Sequence, residues 1–558
     1  MTEQQPLTAF GIQEPPLAQQ NRVGSRLASG IDRASKGASL AAHQTRSLFG
    51  LERQGPAEPT PPESNDPNDP RNWSEKQKHI TYLTICLFSF MANVNASNFT
   101  VAVVPLTQAF KINATQATAL TALNVLTFGL GNLLWVPLMR VIGKRPVYLL
   151  SLLILIATNA WSCTARSWGS LLAARMCSGI GASAADATVP SVVSDLWPID
   201  KRGRKMMFFA VALGSGIFLG PIINAWVVQL HGWRWSPGWM AIVFSLIFLL
   251  ALLLIHETEY RKERTHHQPE WIPPKRKFTC YLSLKLGLEP HQPGKRFLAT
   301  LKDILTMTLY PQLIWSALLV GVFVGWTIII QVTLGQNFSN PRGTYRWPLG
   351  ITGLMHFSGW IGAMLSYFAG GWLLDRMYRG RKLRAERKGT LKPGPQPQFR
   401  LPGLIIPFLL APAGLLVYGT SLAKQSPWPG YAVGYALHSF GFVAVSNFAT
   451  TYLVDCFTQH GGESLVSFFI IRNAIAVLCS FEVQSWLSAS GAKGMFGIMA
   501  AIEWVVLAWG VVMWFGAGWL GRWTERFGPM KRVGEERGSG QRGSGTGNGM
   551  PVRRQEVV

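Results

Sequence analysis

The chain is 558 residues long, 48% hydrophobic and 14% charged, with 52 Lys and Arg against 28 Asp and Glu for a formal net charge of +24. Soluble chains average about 25% charged residues, so an ordinary water-soluble globule is excluded. The basic surplus gathers in short segments beside apolar runs, which excludes a nucleic-acid surface and assigns those residues to loop anchoring and anionic lipid headgroups.

Residues 1–75 form a tail rich in Gln, Ser and Pro, without the apolar stretch of a secretory signal. Within it, segment 26–48 reads either as a basic amphipathic helix on a membrane surface or as part of a disordered tail. Twelve apolar runs follow, near 80–105, 118–139, 146–164, 169–196, 206–229, 238–256, 308–334, 350–374, 402–421, 430–454, 464–487 and 495–520. Each has the ~20 residues that a helix needs to cross ~30 Å of hydrocarbon.

Loops after even-numbered spans are basic. Arg140, Lys144 and Arg145 follow the second, Lys201, Arg202, Arg204 and Lys205 the fourth, segment 257–305 the sixth and segment 376–400 the eighth. The loop after span ten, with Asp455, His460 and Glu463, departs from the rule. Both termini are therefore expected in the cytoplasm. The domain reading is a cytoplasmic, largely disordered tail at 1–75, a six-helix bundle at 76–256 and a cytoplasmic inter-bundle loop at 257–305. A second six-helix bundle at 306–521 and a disordered cytoplasmic tail at 522–558 complete it. Of the six cysteines, none forms a CxxC pair, and no disulfide framework is visible; they read as small buried hydrophobes.

Span four carries Arg175 and Asp186 eleven residues apart, about three turns and 16 Å along one helix face. Charges at such depth cost several kcal/mol unless they face a cavity or a partner. Asp186, set among small residues, is a candidate for proton exchange; the alternative is a structural pairing with Asn or Ser on an adjacent helix. In span five, Gly216, Gly220 and Pro221 permit close helix approach and a bend, serving either a seal or pivot between bundles or ordinary packing.

Other intramembrane polar groups are Asn93, Asn95, Asn98, Asn132, Gln331, His438, Asn447, Arg472, Glu482 and Glu503. Arg472 and Glu482 are further ligand or proton candidates, whereas His438 and Glu503 read equally as core contacts. A faint repeat relates the cationic turn Gly143, Lys144, Arg145 to Asp375 and Arg376 after span eight. The chain shows no Walker A loop, HExxH, GxSxG or cluster of metal ligands. The expectation is a protein that is not an enzyme, with no cofactor, no metal and no ATP-driven engine.

Several stretches together resemble the major facilitator superfamily, and within it the fungal-type twelve-span drug/proton antiporters and their polyamine-transporter relatives. Asp66-Pro-Asn-Asp-Pro-Arg-Asn72-Trp73-Ser74 is similar to the DPxNPxNWS signature before span one. Pro137-Leu138 with Gly143-Lys144-Arg145-Pro146 resembles the loop 2–3 motif, and Arg175 to Gly181 the span-four RxxxGxGA motif. Gly216 to Pro221 resembles the span-five antiporter motif, Gln398-Phe-Arg-Leu-Pro402 the PEFRLP motif, and Tyr452 to Asp455 the end of span ten. The resemblance runs from about residue 66 to 520. Departures are Arg140 at the usual acidic position of loop 2–3, Asn224 and Ala225 in place of the closing GG of span five, Gln398 for the acid of PEFRLP, and Asp186 where relatives often carry Glu.

The resemblance implies an all-α membrane protein of two six-helix bundles related by pseudo-two-fold symmetry, rocking about a midplane cavity. It implies a proton-coupled exporter of small organic molecules such as drugs, toxins or secondary metabolites, working as a monomer in the bilayer with substrate and protons as its partners. Uptake of a small solute by proton symport or facilitated diffusion, and a non-transporting receptor, are the alternatives. In the expected cycle, substrate displaces a proton from Asp186, with Arg175 tuning that carboxyl. Asn98, Trp135, Asn447, Arg472 and Glu482 are candidate cavity walls. Gly143, Lys144, Arg145, Gly216, Gly220, Pro221, Asp375 and Arg376 are candidate gating residues. The sequons at Asn113 and Asn337 fall on the expected outer side, while those at Asn95 and Asn98 lie inside span one. The plasma membrane is the expected destination, with the vacuolar membrane as the rival.

Overall fold

The computed structural model describes residues 69–524 apart from 198, 259–292, 341–342, 390–396, 458–459 and 482. Segment 26–48 and Glu482 therefore lie outside the described residues. The first helix, α1 (Glu75–Ala96), starts where the Ser74 hydroxyl accepts the Gln77 N–H at 3.3 Å, a cap that satisfies an otherwise orphaned donor. After the short α2 (Val103–Phe110), α3 (Ala114–Ile142) opens with a capping box in which Asn113 and Gln116 bond each other's backbone amides. α4 (Lys144–Thr164), α5 (Trp168–Leu196), α6 (Ile199–His231) and α7 (Trp235–Leu254) complete the first set.

The second set begins with α8 (Pro293–Met307), followed by α9 (Pro311–Phe338), whose proline at the first turn costs no hydrogen bond. Span eight is built from α10 (Leu349–Leu354), α11 (His356–Leu365), a π-helical turn (Ser366–Gly370) and α12 (Gly371–Arg387). Then come α13 (Ile405–Lys424), α14 (Trp428–Cys456), α15 (Gly461–Phe481) and α16 (Val483–Thr524), the last broken at Gly491 with φ 64°. Among the described residues nine helical segments are long and apolar enough to cross a bilayer. α1, the polar α5 and the interrupted span eight supply the other three crossings.

Two expectations about the spans change. Span one does not run unbroken to 105. α1 stops at Ala96 because Ser97 and Thr100 turn their hydroxyls onto the carbonyls of Asn93 (3.1 Å) and Ser97 (2.8 Å), competing with the helical ladder. Conversely, the helix after span eight continues through basic sequence expected to be loop, as far as Arg387, because Lys, Arg, Leu, Ala and Glu are all good helix formers.

Within the first set α3 packs on α5, α4 lies against α5 and α7, and α1 lies against α5, α6 and α7. In the second set α9 packs on α15 and α14, and α13 on α14 and α16. The two sets meet through α3 against α15 and through α6 against α10 and α11. Large apolar side chains such as Leu246, Leu478 and Phe515 are exposed, while Asn95, Asn124, Arg175 and Glu503 are buried. That inversion suits hydrocarbon as the surrounding solvent.

α6 has two working faces. A Cβ on Gly216 would strike the Phe90 carbonyl oxygen, and one on Gly220 the Ser97 hydroxyl, so these two glycines seat α6 on α1 of its own bundle. The face toward the second bundle is a different stripe. There Gly214 approaches Tyr367, and Ala225 and Trp226 pack on Gly353 and Gly350.

Candidate functional site

Where the two bundles face each other at mid-height, α1, α3, α6, α9, α14 and α15 surround a cavity of about 120 Å³. A buried water needs roughly 10–15 Å³ of such space, so the cavity holds several waters or a small organic group. Most of its wall is apolar, including Phe128, Ile217, Val324 and Phe442. The polar contribution includes Asn93, Gln331, Tyr367, Ser446, Arg472 and Asn473. Gln331 donates to the Tyr435 hydroxyl at 3.1 Å and to the Ile217 carbonyl at 3.3 Å across the bundle boundary. The Tyr367 hydroxyl donates to the Ala210 carbonyl at 2.6 Å.

Arg472 is the cationic side chain of this wall. Its Nε donates to Asn473 Oδ1 at 3.1 Å, and its guanidinium lies 4.8 Å from the Phe469 ring centre. Across the boundary its charge acts on Asp186 of α5, and that of Asp186 on it. Asp186 is buried, sees the Asn93 side chain, and leaves Oδ1 without a hydrogen-bond partner among the described residues.

The pairing of Asp186 with Arg175 along α5 is replaced by this cross-bundle relation. Arg175 is fully buried nearer the other end of α5, where it donates to Asn95 Oδ1 at 3.2 Å and the Asn95 carbonyl at 2.8 Å, with Phe99 beneath its guanidinium. Sixteen ångströms along one helix is too far for contact, and carbonyls of the bent end of α1 offer nearer partners.

Of the other expected wall residues, Arg472 alone lines the cavity. Trp135 is buried inside the first bundle, donating to the Ile180 carbonyl at 2.6 Å and packing on Met139, Val147 and Ala184. Asn98 bonds Ser236, which also reaches Asn224 at 2.7 Å, tying α1, α6 and α7 together. Asn447 sits on α14 next to Ser446, and its carbonyl accepts the Thr451 hydroxyl at 2.8 Å. Tyr367 and Asn473 line the cavity although neither is among the expected wall residues. Asn473 had a visible signal, a second polar residue beside Arg472 in an apolar span; Tyr367 had none.

At the end of the helices that carries the basic loops, Gly143 adopts φ 93° so that the chain turns from α3 directly into α4. The first amides of α4, from Lys144 and Arg145, donate at 3.1 and 3.0 Å to the two carboxylate oxygens of Glu257 beyond α7, an acid on a helix N-terminus. The Lys144 ammonium pairs with Asp195. Arg202 donates to the Ser194 and Trp197 carbonyls at 2.7 and 2.9 Å, closing the C-terminal end of α5. Burial and the neighbouring Arg71 hold its guanidinium below its ordinary pKa, and Asp195 opposes them.

Between the bundles at this end, Arg140 pairs with Glu463 of α15, above a small apolar cluster of Val136, Ile304 and Val466. In the second bundle the corresponding charge pair is Arg400 with Asp455 at 2.6 Å. Arg376 is exposed, and the side chain of Asp375 lies outside the described residues. Gly216 and Gly220 bind α6 to α1, with Pro221 in the middle of α6. At the opposite end, Gly335 lies against Thr100 and Val101, and Gln229 accepts the Gly350 amide at 2.6 Å. Of the sequons, exposed Asn113 already serves as the α3 cap and Asn337 donates to Tyr431 at 3.3 Å.

A family model described as Major Facilitator Superfamily matches residues 83–480. Among curated relatives, "Efflux pump bik6" of Gibberella fujikuroi is 27% identical over 74% of this chain and 83% of that protein. "MFS-type transporter penM" of Penicillium rubens is 23% identical over 78% and 84%, and "Protein HOL1" of Saccharomyces cerevisiae 22% over 84% and 90%. Among solved structures, a D-xylose-proton symporter superposes with a TM-score of 0.55 at 14% identity, covering 77% of this chain and 97% of the other. A POT family transporter in complex with 5-aminolevulinic acid reaches 0.56 at 13% identity, covering 77% and 95%. Two bundles around a central cavity and a family match across most of the chain lead to one conclusion: this protein belongs to the Major Facilitator Superfamily and is a multi-pass membrane transporter of the secondary type, not an enzyme.

Proposed function

We propose that this chain is a proton-coupled exporter of small, largely apolar organic molecules, operating as a monomer in the plasma membrane with both termini in the cytoplasm. The observation that carries the proposal is Asp186, a buried carboxyl with Oδ1 unpartnered among the described residues, on the helix that meets α15 where Arg472 enters the cavity wall at the boundary of the two bundles. A group there changes its electrostatic energy whenever the bundles separate, so its protonation and their rocking are linked. Export is supported by the name of the efflux-pump relative, and the cytoplasmic assignment of the basic end by the positive-inside rule.

The test is efflux from cells expressing the chain against a panel of apolar and amphipathic compounds, with and without a protonophore. At least one compound should be retained less by expressing cells, its efflux should change when the proton gradient collapses, and Asp186→Asn should remove that dependence. Gradient-dependent efflux that survives Asp186→Asn unchanged would refute the assignment of the proton site.

A further inference from the structure

Arg472 gives the cavity wall a fixed cation, and its helix α15 meets α5, which carries the buried carboxyl of Asp186, so the two opposite charges face each other across the bundle boundary. Among the described residues, the wall segments of α1, α3, α6, α9 and α14 bring no titratable side chain to it, and span eight brings Tyr367, whose hydroxyl is committed to the Ala210 carbonyl. Asp186 is therefore the intramolecular counter-charge, set behind the wall and with one oxygen unpartnered.

From this arrangement we infer that the cargo is an organic anion, an apolar body bearing one carboxylate or similar acid group, which replaces Asp186 as the counter-ion of Arg472. The inference rests on the transport reading of the cavity and names its substrate class. Phe128, Val324 and Phe442 accept the apolar body, while Asn473, whose side-chain N–H group has no partner among the described residues, supplies a hydrogen-bond donor beside the guanidinium.

Charge balance then sets the sense of coupling. An uncompensated charge in a closed, low-dielectric cavity costs several kcal/mol, so two states pass easily through the closed form. One is the empty cavity with Asp186 ionised against Arg472. The other holds the anion on Arg472 with the proton taken up by the Asp186 carboxylate. Proton and anion bind cooperatively and cross in the same direction, without net charge. The exchange expected from the sequence, in which cargo and proton compete, is reversed by Arg472. Outward flux then requires the product of proton and anion concentrations to be greater inside, as it is for an acid produced within the cell.

The experiment uses the full chain in lipid nanodiscs and three probes with one skeleton and different charge: 2-naphthoate, 2-naphthamide and 2-naphthylmethylammonium. Binding is measured by titration calorimetry at about pH 7.5 and about pH 5.5, a range in which the naphthoate stays ionised. Naphthoate should bind about tenfold or more tightly than the amide and gain affinity as pH falls. Arg472→Gln should abolish the preference and Arg472→Lys retain it. Asp186→Asn should strengthen naphthoate binding and make it insensitive to pH. Equal binding of the three probes, preference for the amine, a pH dependence that survives Asp186→Asn, or no binding of any probe at millimolar concentration would each overturn the inference. Because the readout is binding, a protein that selects anions but carries out no proton-linked flux would refute the exporter reading while leaving the anion site standing.

Discussion

Gly143 stands at φ 93° and ψ 170°, an essentially glycine-only region that costs another residue about 1–3 kcal/mol of backbone strain, and a Cβ there would lie 2.7 Å from the Glu257 carboxylate. Gly143→Ala should therefore lower stability by about 1–3 kcal/mol, read as a fall in the thermal unfolding midpoint in detergent. Glu257→Gln, which leaves the two α4 amides with a neutral acceptor, should cost about 1 kcal/mol. If both variants unfold with the parent, the turn is not held as described. Arg140 and Glu463 form the charge pair between bundles, with the Arg140 side chain 47% and that of Glu463 7% exposed. The pair itself contributes about 1 kcal/mol or less because solvent screens Arg140, enough to shift a two-state opening about fivefold. Arg140→Glu should raise the alkylation rate of a cysteine placed at position 136, beneath the pair, and the added Glu463→Arg should bring the rate back. A double variant as reactive as the single one would show that the pair does not hold this end closed.

At the scale of the element, α6 decides how the bundles meet, and its two stripes should respond differently. Gly216→Ala pushes a methyl into the Phe90 carbonyl and should destabilise the first bundle by about 1–3 kcal/mol, as overpacking does. Tyr367→Phe deletes the bond to the Ala210 carbonyl and should leave the unfolding midpoint within about 1 kcal/mol of the parent. It should instead change transport rate, because that bond links span eight to α6 across the boundary. Equal loss of stability in both variants would erase the distinction between the stripes. The glycine spacing was legible in the sequence because close approach of helices requires it, but not which neighbour the glycines approach. Four-residue spacing fits a partner in either bundle, and only the fold shows α1 there. The apolar runs likewise announced the crossings, whereas the end of α1 at Ala96 depended on where Ser97 and Thr100 turned their hydroxyls.

For the whole molecule, Asp186 was identifiable from its cost in lipid, while its relation to Arg472 was not, because the two residues lie 286 positions apart on helices of opposite bundles. Along α5 the eye meets Arg175 first, yet Arg175 donates to the carbonyl and side chain of Asn95 at the end of α1 and stands outside the cavity lining. The rocking step should therefore respond to the sum of charges at Asp186 and Arg472 rather than to either alone. Asp186→Asn strands Arg472 in the empty cavity, and an unpaired buried charge costs several kcal/mol, so return of the empty carrier should slow by about tenfold or more. Arg472→Gln strands Asp186 unless it is protonated, so the same step should slow as pH rises and recover as pH falls. The double variant Asp186→Asn, Arg472→Gln has no charge to balance and should regain the return rate while losing all response to pH. Labelled cysteines across the Val136–Val466 contact, followed by single-molecule distance measurements at several pH values, read that step without any cargo. A double variant as slow as either single one would show that the charges act on rocking independently, and the balance between bundles would have to be sought elsewhere.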